Sequence, residues 1–344
     1  MAVAAQTISF PDTARRLIDS HGRVIHDLRV SITDRCNYKC VYCRTGEYGA
    51  QYPELAISEY LHLIRLFVSL GIEKVRLTGG EPLLRNGLIE LIQELAGLRT
   101  TSGQPLDIAL TTNGHLLDKM AAPLKAAGLN RVTVSMDAVD APTFERITRV
   151  PGSFNKVVAG VRAAKAAGLT PVKINCVLLR GFNDNEVEGF ARFAREEDVI
   201  VRFIEFMPLE EGRLWSPEIV VTLKEITERI SRELPLVPLA PREPSETARR
   251  YTFSDGIGEI GIIAPVSQAF CGACSRVRLT SDGKIRTCLF SQVEHDLYGR
   301  MRAGQSESEL SDYIVRTINE KEARHHIGEP GFLKPSRSMV HIGG

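Results

Sequence analysis

Between residues 26 and 235, short β-branched runs alternate with helical stretches, and this alternation restricts the fold more than any other feature. The strand runs are His26–Thr33, Lys74–Gly79, Asp107–Thr112, Arg131–Asp137, Pro171–Leu179 and Ile200–Met207. The helical stretches are Ser58–Leu70, Gly87–Leu98, Asp118–Ala127, Ser153–Ala167 and Glu186–Glu197, with Thr222–Leu234 after the last strand. Each helical stretch carries apolar residues at three- and four-residue spacing, as in Leu61, Ile64, Leu66 and Val68. Gly71, Gly128 and Gly168 sit just past their helices, where a glycine stops a helix. Such βα units build a parallel sheet with helices outside, either doubly wound or an incomplete barrel. Polar signatures recur at the C-terminal end of nearly every strand, which is the rim where barrel enzymes keep their sites. The expected class is therefore α/β, an incomplete (βα)6-type TIM barrel over residues 1–235.

The regular pattern ends near Leu234. Pro235, Pro238, Pro241 and Pro244 follow at intervals of three and read as an extended connector. Beyond it come short strand runs at Arg249–Phe253 and Glu259–Ile263, then a hairpin Arg276–Leu279/Lys284–Leu289 turned by Asp282-Gly283. A helix from Glu307 to about Ala323 precedes an irregular tail, so residues 236–344 form a smaller C-terminal α+β region.

Charge and hydropathy exclude several classes. The net charge is +1, so no broad cationic field points to nucleic acid or to a membrane surface. No apolar stretch approaches the ~20 residues of a membrane span. Residues 1–16 lack the apolar run of a secretory signal and contain Asp12. The expected setting is cytoplasmic, where thiols stay reduced and clustered cysteines hold metal more often than they form disulfides.

Six of the seven cysteines fall into two triplets. The first, Cys36, Cys40 and Cys43, is a C-x3-C-x2-C run directly after the first strand. The second is Cys271 and Cys274 with Cys288 fourteen residues on. A cubic iron–sulfur cluster has four iron corners, so three thiolates leave one open to bind and activate a small molecule. Zinc is the other reading, but it takes four ligands, and the next histidine after the first triplet, His62, lies on a predicted helix. Beside the second triplet, Arg276 and Arg278 lie two apart on a strand and so share a face. Paired guanidinium groups suit phosphate oxygens. Arg29, Arg76 and Lys173 add cations on the first, second and fifth strands.

The first triplet, with Tyr42 just before its third cysteine, resembles the radical S-adenosylmethionine (SAM) superfamily, and Gly79-Gly80-Glu81-Pro82 resembles that superfamily's GGEP segment. The wider set resembles the GTP 3′,8-cyclase family of molybdenum cofactor (molybdopterin) biosynthesis. It comprises the stretches 27–36, 76–82, 110–114, 134–138, 202–207 and 271–278, and the end Ile342-Gly343-Gly344. The resemblance implies two 4Fe–4S clusters and SAM as cofactors. Cys36, Cys40 and Cys43 would hold the first cluster, and Cys271, Cys274 and Cys288 the second, whose open iron meets guanine. Tyr42, Gly80, Ser135 and Met207 would line the SAM pocket. Arg29, Arg76, Thr111, Lys173, Arg276, Val277 and Arg278 would contact GTP, and Arg276, Arg278, Gly343 and Gly344 would be catalytic. The implied reaction takes hydrogen from the ribose 3′ carbon, joins that carbon to C8 of guanine, and gives 3′,8-cyclo-7,8-dihydro-GTP. Implied partners are GTP, a reductant protein such as flavodoxin or ferredoxin, a second copy in a homodimer, and cyclic pyranopterin monophosphate synthase as the next enzyme.

Arg44 and Thr45 stand where many relatives have Met-Pro, which leaves the thiols intact. Cys176, among apolar residues, reads as an inert core thiol, and His325-His326 as a solvated helix end. Two alternatives stay open at this point: a peptide-modifying radical SAM enzyme with an auxiliary cluster, and a non-enzymatic iron–sulfur or zinc protein.

Overall fold

The computed structural model describes residues 16–43 and 50–342. The six expected strands are present as β1 (Asp27–Ser31), β2 (Lys74–Thr78), β3 (Asp107–Thr112), β4 (Arg131–Ser135), β5 (Lys173–Leu178) and β6 (Ile200–Glu205). The six helices expected up to residue 234 form within one or two residues of their sequence bounds: α1 (Ile57–Ser69), α2 (Leu88–Ala96), α3 (Leu117–Ala126), then α5 (Ser153–Ala166), α6 (Val187–Glu196) and α7 (Leu223–Glu233). Among the β1–β6 units, one further helix, α4 (Ala141–Thr148), has no counterpart in the sequence reading. Its start is encoded locally, since the Asp140 carboxylate accepts from Thr143 N at 2.9 Å and caps a backbone donor. Gly71, Gly128 and Gly168 follow α1, α3 and α5 with φ of 97°, 105° and 73°, the left-handed stop that a side chain disfavours.

After residue 235 come β7 (Leu236–Leu239), β8 (Ala248–Phe253), β9 (Glu259–Ile263), β10 (Arg276–Leu279), β11 (Lys284–Arg286), β12 (His295–Asp296), α8 (Leu297–Arg302) and α9 (Glu307–Asn319). The expectation of a plain connector at Pro235–Pro244 is corrected here. Residues 236–239 pair antiparallel with β8 as the last strand of the sheet, an edge position that tolerates Pro238 because one side needs no ladder bonds. The expected helix end at His325-His326 is also corrected, because α9 stops at Asn319 and both histidines lie in the following loop. His325 tilts against Phe290, and exposed His326 pairs with Glu329 at 2.8 Å.

All twelve strands form one open sheet in the order β12-β11-β10-β1-β2-β3-β4-β5-β6-β9-β8-β7. The central β1–β6 run is parallel, and the C-terminal strands extend both of its edges, with β10 parallel to β1 and β9 parallel to β6. The sheet does not close, which is the incomplete barrel expected from the βα alternation. Its main core is apolar, with Val30, Leu77, Leu110, Val134, Ile174 and Phe203 all fully buried. Cys176 is fully buried in that core, as expected of an inert thiol.

A second, smaller core joins Leu209, Phe290, Ile327 and Ile342, with Met207, Cys288 and Met339 packed against it. It fixes the C-terminal segment beside the loop that follows β11. Arg337 locks the same segment: it is bidentate to Asp282 at 2.8 Å, pairs with Glu294 at 2.7 Å, and stacks 3.9 Å from the Tyr52 ring. Breaking a fully buried ion pair costs about 3–5 kcal/mol. Here the carboxylates keep other partners, because Glu294 also pairs with Arg286 and Lys284, and Asp282 with Lys284 and Thr280. Arg337→Met is therefore expected to destabilise by about 2 kcal/mol, short of the full penalty for an orphaned charge. Denaturant unfolding measures it, and an unchanged midpoint would show that Arg337 does not hold the tail.

Candidate active site

Strand alternation places the functional side chains. On β1, Leu28 and Val30 are fully buried in the core while Arg29 faces the cavity. Arg76 on β2, Arg202 on β6, and Arg276 and Arg278 on β10 do the same between core-facing neighbours. Register then sets these cations side by side: Arg29 lies opposite both Arg76 on β2 and Arg278 on β10. Adjacent strands are about 4.8 Å apart, so the three guanidinium stems form one row across three strands.

Among the described residues, no carboxylate pairs with Arg29, Arg76, Arg202 or Arg276, although the surface carries many such pairs. Arg76 instead donates to Thr111 Oγ1 at 3.2 Å and Thr133 Oγ1 at 3.3 Å. Arg202 donates to Asn175 Oδ1 at 2.9 Å. Arg29 Nε is buried without a hydrogen-bond acceptor. Burial, with repulsion from Arg276 and Arg76, pushes Arg29 down to about 10. Burial and repulsion from Arg76 and Arg29 bring Arg202 down to about 9. These groups keep their protons at neutral pH. A buried row of like charges, with Arg29 Nε left to donate, fits a polyanion.

The first triplet stands across the cavity. Cys36, Cys40 and Cys43 all line it. The GGEP segment is bonded to the stretch before Cys36, with Gly80 N donating to Thr33 O and Glu81 N to Arg35 O, both at 2.8 Å. No Cβ fits there: one on Gly79 would overlap Thr33 O, and one on Gly80 would overlap Arg35 O. Buried Glu81 accepts from Leu83 N, Thr112 Oγ1 and Asn113 N, which ties the segment to the β3 rim. Burial raises the Cys40 thiol well above its ordinary value, and Asp137 and the two neighbouring sulfurs add to the shift. Three thiolates that would repel one another, with no fourth ligand among the described residues, suit the three-thiolate mount of a cubane. Tyr42 donates to Asp137 Oδ2 at 2.6 Å, and burial pushes Asp137 up to about 6.

The second triplet flanks the β10–β11 hairpin that carries Arg276 and Arg278. Cys271 and Cys274 are joined by a turn, Cys274 N donating to Cys271 O at 3.1 Å, and Cys288 follows β11. Burial opposes ionisation of Cys274, but Arg276, with Nη2 3.3 Å from the sulfur, and Lys321 outweigh it and bring the thiol down to about 6. Among the described residues, no three His, Cys, Asp or Glu side chains converge on a site for a single metal ion.

Of the residues named from sequence, Tyr42, Gly80, Ser135, Met207, Arg29, Arg76, Thr111, Arg276, Arg278 and the first triplet share this cavity. Lys173 and the second triplet stand outside its lining. Val277 is fully buried in the main core, so only its backbone could meet a ligand there. Arg44, Thr45, Gly343 and Gly344 lie outside the described residues. Arg202, Asn175, Asp137, Met339 and Val340 line the cavity but carried no assigned role. Strand alternation on β6 could have found Arg202, while nothing local marks Met339.

An open α/β barrel with a three-thiol mount after β1 and a GGEP segment after β2 defines a radical SAM protein. Consistent with this, residues 30–194 match the radical SAM superfamily, and residues 199–327 match the Molybdenum Cofactor Synthesis C family. A GTP 3′,8-cyclase of Corynebacterium glutamicum is 44% identical over 344 residues, covering 97% of this chain and 90% of that protein. Those of Moorella thermoacetica (44% over 329 residues; 95% and 99%) and Streptomyces coelicolor (42% over 337 residues; 96% and 97%) are similar. The chain belongs to the GTP 3′,8-cyclase family, and so to the radical SAM enzymes that use a 4Fe–4S cluster and SAM. In fold it resembles Streptococcus suis SuiB. With the precursor peptide SuiA bound, the TM-score is 0.61 at 13% identity, over 87% of this chain and 68% of that one. For SuiB alone it is 0.58 at 14%, over 92% and 78%. At that identity the likeness is one of fold. No described helix is long and apolar enough to cross a membrane.

Proposed function

We propose that this chain converts GTP to 3′,8-cyclo-7,8-dihydro-GTP, the first step of molybdopterin biosynthesis, by joining ribose C3′ to guanine C8. The observation that carries the reading is the row of buried arginines on β10, β1 and β2, facing the first cysteine triplet across one cavity. Bound at Cys36, Cys40 and Cys43, the cluster with SAM supplies the 5′-deoxyadenosyl radical. The protein's part is binding, orientation and exclusion of water.

Gly80 offers backbone at close range, and Tyr42, Ser135 and Met207 shape the rest of the SAM pocket. Arg29, Arg76, Thr111, Arg276, Arg278 and the Val277 backbone receive GTP, with Lys173 at the edge of the cation row. Cys271, Cys274 and Cys288 would hold a second 4Fe–4S cluster, which would supply an open iron for the guanine base. Gly343 and Gly344 continue a segment whose Met339 and Val340 already line the cavity. The barrel occupies residues 1–235 and the second-cluster region 236–344. The enzyme works in the cytoplasm as a homodimer, takes electrons from a flavodoxin or ferredoxin, and passes product to cyclic pyranopterin monophosphate synthase.

The test is anaerobic reconstitution with iron and sulfide, reduction, and addition of SAM with and without GTP. Formation of 5′-deoxyadenosine that requires GTP is expected, and turnover indifferent to GTP would overturn the reading.

Binding should also take up protons. Burial, with repulsion from Arg202, Arg242, Arg131 and Arg76, brings Lys173 down to about 7. Above that pH the free enzyme carries a neutral amine, and an arriving triphosphate favours the ammonium. GTP affinity should therefore fall as pH rises from 7 to 9, by at most about tenfold per unit for one proton. Calorimetry in two buffers of different ionisation heat measures the uptake. Lys173→Arg, charged throughout, should abolish it.

A further inference from the structure

The second cysteine triplet is gripped by two buried cations that the reaction does not use. Lys321, 3% exposed, follows α9 and points back at the triplet. Its Nζ donates to Arg276 O at 3.0 Å and to Thr287 O. Arg276 is two residues past Cys274, and Thr287 immediately precedes Cys288, so one ammonium group ties together the strands that carry two of the three thiols. Arg23 holds the third. Its Nη1 donates to Cys271 O and Ala323 O, both at 2.9 Å, and its Nη2 to Glu322 O at 2.7 Å. Glu322 in turn accepts from Thr287 Oγ1 at 2.7 Å. The segment 321–323 is thus bonded to every piece of chain that bears a cysteine of this site.

The charges on these two cations are balanced differently. Arg23 has Asp19, whose Oδ2 is 2.6 Å from Nε. Lys321 has no carboxylate partner among the described residues, only two neutral carbonyls. A buried ammonium costs several kcal/mol unless an anion offsets it. The two carbonyls it holds lie within two residues of Cys274 and Cys288, so thiolates mounting a cluster there would supply the anion. A cluster mounted on thiolates carries net negative charge, and a nearby fixed cation stabilises its more negative, reduced form.

We infer that Lys321 is a positioning and charge-balancing residue of the second cysteine site, clamping the strands of Cys274 and Cys288 and raising the reduction potential of an anionic iron–sulfur cluster bound there. This rests on the reading that the second triplet holds a cluster.

The test uses the full chain, purified and reconstituted without oxygen, as unsubstituted protein, Lys321→Gln and Lys321→Met. Iron is counted, its release to a chelator is timed, and both clusters are titrated by electron paramagnetic resonance. Lys321→Gln keeps a donor and loses the charge. It should retain both clusters and move only the second to a more negative potential, with the first unchanged. Lys321→Met loses both properties and should release second-site iron at least about tenfold faster. If Lys321→Met proves insoluble, Lys321→Gln decides alone. A second cluster with unchanged potential in Lys321→Gln would overturn the inference while leaving the cluster reading intact. A single cluster in the unsubstituted protein would overturn both.

Discussion

Arg278→Ala should lower kcat/KM for GTP by about 100-fold or more while SAM binding is preserved. Truncating one partner of a buried, hydrogen-bonded charge pair costs about 2–5 kcal/mol, and each 1.4 kcal/mol is a factor of ten. Arg278 meets those conditions. It is 4% exposed, stands in register with Arg29, and faces the cavity from between fully buried Val277 and Leu279. Burial, with repulsion from Arg29 and Arg276, holds its ordinary value well down, so an anionic ligand gains more from it than from a surface arginine. Its Nη1 also donates to Ile342 O at 3.2 Å, so the substitution removes an anchor of the C-terminal segment. Steady-state kinetics together with equilibrium SAM binding separate the effects. GTP kinetics unchanged in both Arg278→Ala and Arg276→Ala would remove the arginine row from the substrate site.

Gly80→Ala is expected to abolish SAM binding and to strip iron from the first triplet. The added methyl would overlap the Arg35 carbonyl and crowd that of Asp34, both backbone atoms that cannot rotate away. Relief requires separating the GGEP segment from the stretch that ends at Cys36, which breaks the Gly80 N–Thr33 O and Glu81 N–Arg35 O bonds. Overpacking alone costs about 1–3 kcal/mol, and two lost backbone bonds bring the total to roughly 3 kcal/mol or more. Iron content and melting temperature report the damage independently of turnover. An iron-replete Gly80→Ala protein with normal SAM affinity would show that this close approach is not needed.

The same residues explain which parts of the molecule were legible. Strand and helix positions followed from local periodicity, and β3 and β9 match their expected bounds. Helix α4 went unread because it is short and shows only Phe144 and Ile147 as an apolar face, although its Asp140 cap was visible. The proline run was read for its composition, and only pairing with β8 makes residues 236–239 a strand. The cysteines, the GGEP glycines and most of the arginines were apparent from residue type and spacing. Arg202 and Val277 were recoverable by alternation. Lys321 and Arg23 had no local signature, since a lysine or arginine in isolation reads as surface charge.

The order of residues alone therefore settled the chemistry that is available: two sets of three thiols, a glycine segment that admits close backbone contact, and cations on inward strand positions. Those follow from side-chain type and from the periods of strand and helix, which are properties of a few adjacent residues. Tertiary structure alone decided that β10 lies parallel beside β1 and β9 beside β6. That pairing sets Arg278 next to Arg29, and the chain beyond it brings Ile342 and Lys321 back across 64 and 45 residues to Arg278 and Arg276. Long-range parallel pairing depends on burial of the whole core, and no short stretch of sequence contains that information.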